Sequence, residues 1–181
     1  MTNTKSAGKW IKLLIGIIIV VVCLSFVFLY SLELRKTSDR GWGDYHLTAD
    51  LKQLVIEKTR DLDNPESIIE ECCDIATDYL SFTVTNDIAN HKANCVGYAQ
   101  LTSALLNHAF RNKNIPYRAK PVVGTVHSFG VNLNEVALCI LPSLCHPFFK
   151  DHDFVEIGTD DGTVYIDTSL RDLPGRKFVQ N

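Results

Sequence analysis

An uncharged apolar run over residues 13–30 (LLIGIIIVVVCLSFVFLY) constrains this chain more than any other feature. As a helix, a run of this length covers most of the ~30 Å hydrocarbon core of a bilayer. No Ala-x-Ala-like cleavage site follows it, so we favour an uncleaved transmembrane signal-anchor, with a cleaved signal peptide as the alternative. We therefore expect a short tail over residues 1–12, a cell-membrane location and a single-pass topology that places the following domain outside the cytoplasm.

The remainder of the chain is long enough for one domain with its own core. Residues 31–46 are polar and contain glycine, which predicts a juxtamembrane linker without chemistry of its own. Residues 47–181 then form the domain. The formal net charge of −3 and the lack of a basic cluster beyond the flanks of the apolar run argue against a nucleic-acid partner.

The order of the periodic patterns predicts the fold class. Apolar residues spaced three and four apart predict helices over about 48–60, 64–80 and 94–110. Strand-forming composition follows over about 117–126, 127–134, 153–157 and 163–167. Pro121 predicts that the first of these strands is an edge or a bulged strand. Asp160-Asp161-Gly162 is a hairpin signal, so we expect an α+β domain with helices packed on one face of an antiparallel sheet.

The cysteines do not indicate a metal site. Cys72 and Cys73 belong to the apolar stripe of the second predicted helix, which favours burial in the core. Cys139 and Cys145 could pair as a disulfide in an oxidising compartment, although spacing alone does not decide this. No Cys-x-x-Cys pair occurs in the sequence, so we expect no metal and no other cofactor.

Cys95 stands where a loop turns into the third predicted helix, with Asn94 as the candidate N-cap. A cysteine at this position lies at the positive end of the helix dipole, which favours the thiolate over the thiol. Cys95 is in register with Tyr98 and Ala99 on the apolar stripe. We therefore expect its side chain to face the sheet on which the helix packs.

His152 and Asp167 flank the predicted hairpin, at the entry of one strand and the exit of the other. Side chains opposite each other on paired strands have Cβ atoms about 5 Å apart, so the carboxylate can hold the imidazole. If this end of the sheet meets the start of the third helix, Cys95, His152 and Asp167 form a nucleophile, a base and an orienting acid. His146, beside Cys145, is the rival base.

An oxyanion formed in such a site needs N–H donors. The backbone N–H of Cys95 is one candidate. A second donor could come from the polar stretch before the cysteine, and we give Asn94 as a weak choice. The alternatives on that stretch are Asn86, Asn90 and His91.

Four segments of the chain resemble the Cys, His and Asp motifs of the transglutaminase-like superfamily, in the usual order. The segments are 95–99 (CVGYA), 115–118 (IPYR), 152–156 (HDFVE) and 165–168 (YIDT). The resemblance covers about residues 67–170 and implies a papain-like α+β fold with Cys95 as nucleophile, His152 as base and acid, and Asp167 as the orienting carboxylate. It departs from the usual pattern at 93–94, where a glycine often precedes the cysteine, and at Asp153, where a small residue often follows the histidine.

The resemblance implies acyl transfer from an amide, through a thioester, to water or to an amine. We therefore expect a membrane-anchored cysteine-dependent amide hydrolase, a peptidase or amidase of the thiol-protease type, or an acyl transferase. Its substrate would be a peptide or protein amide. The alternative is a catalytically silent transglutaminase-like binding module at the cell envelope.

Overall fold

The computed structural model describes residues 13–24, 27, 31–41, 45–140, 151–170 and 179–180, with side chains 137–140 and 179–180 outside the description. After the helical run at 13–24, the helices are α1 (Ala49–Lys58), α2 (Pro65–Tyr79), α3 (Cys95–Asn112) and α4 (Leu133–Ile140). The strands are β1 (Leu32–Asp39), β2 (Ser81–Phe82), β3 (Lys92–Ala93), β4 (Arg118–Ser128), β5 (Val131–Asn132), β6 (His152–Thr159), β7 (Gly162–Asp167) and β8 (Val179–Gln180). A 3₁₀ turn (Ile88–Asn90) lies between β2 and β3.

The prediction of a transmembrane anchor is wrong. Throughout the described ranges, no helix combines the length and the apolar character that a membrane crossing needs. This finding overturns the transmembrane part of the predicted fold, the single-pass anchor and the cell-membrane location.

Capping residues set the starts of the long helices, as the sequence predicts. The Asn64 side-chain oxygen accepts a hydrogen bond from the Glu66 N–H at 2.9 Å, directly before the proline that opens α2. The Asn94 oxygen accepts from the Val96 N–H at 3.1 Å, so α3 begins at Cys95. These bonds satisfy N–H groups that have no acceptor inside the helix.

The main sheet is antiparallel, with strand order β1-β4-β6-β7-β8, and β5 pairs with β4 outside this path. β1 lies in the segment that the sequence predicts to be a linker, and it pairs with β4 from Leu32 opposite Ser128 to Asp39 opposite Val122. β2 and β3 form a separate short parallel pair just before α3. The described elements therefore make an α+β fold.

Each face of the sheet carries its own apolar cluster, because alternate residues of a strand point to opposite faces. The helix-side cluster joins α1, α2 and α3 to Ala119, Val155, Ile157 and Ile166 of the sheet. The second cluster lies on the other face and consists of Leu32, Leu34, Val122, Val126 and Phe154. Two of its five members come from β1, so this strand is part of the core.

Pro121 does not lie in an edge strand, since β4 runs between β1 and β6. It pairs with Val155 of β6, but it lies one residue beyond the last β1–β4 pair, Asp39 with Val122. Proline has no N–H to donate to a ladder. The position is tolerated because β1 has ended at that point.

Gly124 allows β1 to approach β4 closely. A Cβ at this position would lie 2.1 Å from the Arg35 carbonyl oxygen and 2.7 Å from a ring carbon of Phe154. Backbone atoms cannot give way as a flexible side chain can, so Gly124→Ala should lower the free energy of unfolding by about 1 to 3 kcal/mol, measured by urea denaturation.

Gly158 provides the matched control for this substitution, because a Cβ there would meet no atom within 4 Å. Gly158→Ala should leave the urea midpoint unchanged or raise it slightly, since alanine reduces the entropy of the unfolded chain. Equal midpoints for the two variants would contradict the close approach at Gly124.

Candidate active site

Cys95 is the first residue of α3 and is partly buried. The first turn of α3 packs tightly against the preceding loop, where a Cβ on Gly97 would lie 2.0 Å from the Asn86 side-chain oxygen and 2.7 Å from the Ala93 Cβ. The glycine two positions after the cysteine thus lets the loop lie against the helix. Farther along, α3 packs on β4 and β6.

His152 and Asp167 meet across the β6–β7 hairpin. Val155 pairs with Ile166 in this hairpin, so the next position of the ladder places Asp167 opposite Phe154. Asp167 is therefore diagonal to His152 on the same face of the sheet. The His152 Nε2 is hydrogen-bonded to the Asp167 Oδ2. The side chains are 16% and 1% exposed, so the contact is largely shielded from water.

The second oxygen of Asp167 is held by Ser169. Its Oδ1 accepts the Ser169 backbone N–H at 2.9 Å and the Ser169 hydroxyl at 2.7 Å. Bonds to both oxygens fix the plane of the carboxylate and hence the orientation of the His152 ring. Ser169 is not among the predicted site residues, although a serine two residues after an aspartate is a recognisable turn signal.

Cys95 lies close enough to the His152 imidazole to influence the pKa of the ring. Since Nε2 is engaged by Asp167, Nδ1 is the ring nitrogen that remains for the thiol. Burial lowers the pKa of His152 because it disfavours the charged ring, but the charge and hydrogen bond of Asp167, and then those of Cys95, raise it. The net result is a pKa well above the usual histidine range, so the imidazolium form is favoured.

A buried pair of hydroxyls joins α3 to the end of β7. The Oγ1 atoms of Thr102 and Thr168 lie 2.7 Å apart, and both residues are 2% exposed or less. Thr102 is two helical turns after Cys95, and Thr168 follows Asp167 directly. This hydrogen bond therefore ties the helix that carries the thiol to the strand that carries the carboxylate.

Asn94, the weak choice for a second oxyanion donor, already has partners for its side chain. Its oxygen caps α3, and its Nδ2 donates to the Val84 carbonyl at 3.4 Å. An oxyanion role for Asn94 stays a prediction, and it would require the Nδ2 to exchange Val84 for the substrate.

The other polar candidates on this stretch have different surroundings. Asn90 donates to Asp87 at 2.8 Å, and the His91 Nδ1 contacts the Tyr79 carbonyl at 3.0 Å. Asn86 lies against Gly97, and a helix turns by about 200° between Cys95 and Gly97. Asn86 therefore packs on the opposite side of the helix from the thiol.

Arg40 is a second residue of the site that is not among the residues predicted from the sequence. Its Nε donates to the Asp153 Oδ1 at 2.7 Å, and its Nη2 donates to the Asp153 Oδ2 at 2.9 Å and to Asp151 at 3.3 Å. The negative charge of Cys95 is among the influences that raise the pKa of Arg40, after those of the two aspartates. No local motif marks Arg40, because it is separated from its partners by more than a hundred residues of chain.

The remaining cysteines differ from Cys95 in their environment. Cys72 and Cys73 are fully buried in the helix-side cluster, which confirms the prediction that they pack in the core. Burial raises the pKa of the Cys72 thiol well above its ordinary value, with smaller contributions from the charges of Cys73 and Glu71. The predicted rival base His146 and the predicted Cys139–Cys145 pair lie outside the described side chains.

Comparison of the chain with protein-family models, curated proteins and solved structures finds no match. The likeness to the transglutaminase-like superfamily therefore rests on the four sequence segments and stays a prediction.

The hydroxyl pair can be tested by its energetics. Thr102→Val should lower the free energy of unfolding by about 1 to 3 kcal/mol, because it leaves the Thr168 hydroxyl buried without this partner. The double variant Thr102→Val with Thr168→Val should lose less free energy of unfolding than the two single variants lose in sum, since neither hydroxyl is then left without its partner. Additive losses in urea denaturation would contradict a direct bond between the two side chains.

The raised pKa of His152 predicts a pH dependence with a definite sign. Because folding raises the pKa of His152, protonation of the ring stabilises the folded state. This stabilisation is complete at pH values below the ordinary histidine pKa of about 6.5 and is lost as the pH rises through the pKa of the folded state. NMR titration of the His152 ring should therefore give a midpoint well above 6.5. Asp167→Asn should lower that midpoint, and an unchanged midpoint would exclude Asp167 as the main stabilising partner.

Proposed function

We propose that this protein is a cysteine-dependent amide hydrolase or acyl transferase of the transglutaminase-like type, with Cys95, His152 and Asp167 as its catalytic residues. The observation that carries this proposal is the hydrogen bond between the His152 ring and the buried Asp167 carboxylate, with Cys95 close enough to raise the pKa of the same ring. The Ser169 contacts support it further, because they hold the carboxylate in a single orientation.

In the proposed resting state, His152 carries the proton and Cys95 is a thiolate. The buried Asp167 stabilises the imidazolium, and the positive end of the α3 dipole favours the negative sulfur. The residues divide the work as a nucleophile, a base and an orienting acid do in serine hydrolases.

The Cys95 sulfur attacks the carbonyl carbon of an amide and forms a tetrahedral oxyanion. The backbone N–H of Cys95, at the start of α3, is the proposed first donor to this oxygen. The C–N bond then breaks, and the His152 imidazolium gives its proton to the departing amine. The product is a thioester between Cys95 and the acyl group.

The second half of the reaction reverses these roles. Neutral His152 accepts a proton from an incoming water or amine while the oxygen or nitrogen attacks the thioester carbonyl. Release of the Cys95 sulfur regenerates the thiolate–imidazolium pair. Water gives hydrolysis and an amine gives transfer, and both routes use the same three residues.

Alkylation of Cys95 by iodoacetamide, measured from pH 5 to pH 9 by peptide-resolved mass spectrometry, tests the proposal. Rapid alkylation should persist below pH 7 in the wild type, because the pair with His152 keeps the sulfur charged. His152→Ala should lower the rate at pH 6 by about tenfold or more, which corresponds to one unit or more in the apparent pKa of the reaction.

Cys23 is an exposed cysteine in the same chain and serves as the internal reference thiol in each digest. If Cys95 follows the pH dependence of an ordinary thiol with a pKa of about 8.5, in the wild type as in His152→Ala, the activated pair is excluded. A reactive Cys95 that turns over no amide in a peptide library would favour the alternative, a silent binding module.

A further inference from the structure

Asp153 is a buried carboxylate directly beside the proposed base. Its side chain is 2% exposed, and it is paired with Val123 in the β6–β4 ladder. A buried negative charge is unfavourable unless a partner compensates it. Asp153 directly follows His152 in the chain, so an uncompensated carboxylate there would add negative charge to the surroundings of the site. Balancing this charge would favour ionisation of Cys95.

Arg40 supplies that balance from the far end of the chain. Its guanidinium contacts both oxygens of Asp153, at 2.7 Å and 2.9 Å, in the two-bond arrangement that gives arginine–carboxylate pairs their strength. The Arg40 side chain is itself only 24% exposed. It directly follows β1, whose pairing with β4 brings it to the start of β6.

The electrostatics of Arg40 connect this pair to the nucleophile. The hydrogen bond to Asp153 is the largest influence that raises the pKa of Arg40, burial opposes it, and the charges of Asp153, Asp151 and Cys95 add to the rise. Arg40 and Cys95 therefore lie within electrostatic reach of each other.

We propose that Arg40 is a positioning residue of this site, whose charge compensates the buried Asp153 and so permits the thiolate of Cys95 beside it. This inference rests on the proposed function, since it concerns the charge state of the same nucleophile. It also explains why an aspartate can stand at position 153, where a small residue often follows the histidine of the motif. The charge of Asp153 is compensated by Arg40.

Other charged groups lie close to the Arg40–Asp153 pair and to the proposed base, and the charge cycle leaves them unchanged. In the described part of the site, they are Asp151, which contacts Arg40, and Asp167, which contacts His152.

A charge cycle at positions 40 and 153 tests the proposal, with Cys95 alkylation measured from pH 5 to pH 9.5 on folded protein. Arg40→Met should lower the rate at pH 6 by about tenfold and change it little at pH 9.5, where the thiol ionises without help. Asp153→Asn should not lower the rate at pH 6. The double variant Arg40→Met with Asp153→Asn should recover to within about threefold of the wild type.

Two further variants separate charge from structure. Arg40→Lys retains the charge without the planar fork, so it should keep most of the alkylation at pH 6. Arg35→Met is the matched control, because Arg35 lies on β1, which Arg40 follows, but is exposed and contacts Glu33 at 3.1 Å. This variant should match the wild type at every pH.

A rate that falls by the same factor at every pH in Arg40→Met would indicate a structural role alone and overturn the proposal. A double variant as slow as Arg40→Met at pH 6 would overturn it too, because compensation requires recovery once both charges are gone. In both of these outcomes, Cys95 of the wild type is still alkylated rapidly below pH 7. If instead the proposed function is wrong, wild-type Cys95 is itself unreactive below pH 7, so the two failures are distinguishable.

Discussion

The hydrogen bond between His152 and Asp167 is the interaction on which the rest of the site depends. A largely buried imidazole would lose its charge without a carboxylate beside it, because burial disfavours the charged ring. The carboxylate is buried as well and needs the Ser169 donors on its second oxygen. The β6–β7 hairpin, the turn after β7 and the base thus form one unit, and Cys95 meets that unit at the start of α3.

The scaffold supports this contact from two directions. On the helix side, α3 is fixed to the end of β7 by the bond between Thr102 and Thr168, which limits how far the thiol can move from the imidazole. On the other side, β1 completes the sheet and brings Arg40 to Asp153. Asp153 and Asp167, the two buried carboxylates of the described residues, therefore each have a cationic partner, Arg40 and His152 respectively.

Much of the fold follows from local sequence. The starts of α2 and α3 follow from Asn64 and Asn94, because capping depends only on neighbouring residues. The hairpin that joins His152 to Asp167 follows from an Asp-Asp-Gly turn and alternating strands. The prediction of a membrane span at residues 13–30 also depended on local sequence alone, since a hydropathy pattern reports only the transfer energy of each residue.

The sequence by itself determined α1, α2, α3, the hairpin and the three candidate catalytic residues, because each depends on periodicity, on capping or turn chemistry, or on a motif of a few neighbouring positions. Only the tertiary structure decided that β1 belongs to the sheet, that Ser169 and Thr168 brace the site, and that Arg40 compensates Asp153. Arg40 and Asp153 are 113 residues apart in the chain. No local pattern records such a contact, because the pairing of β1 with β4 and of β4 with β6 creates it.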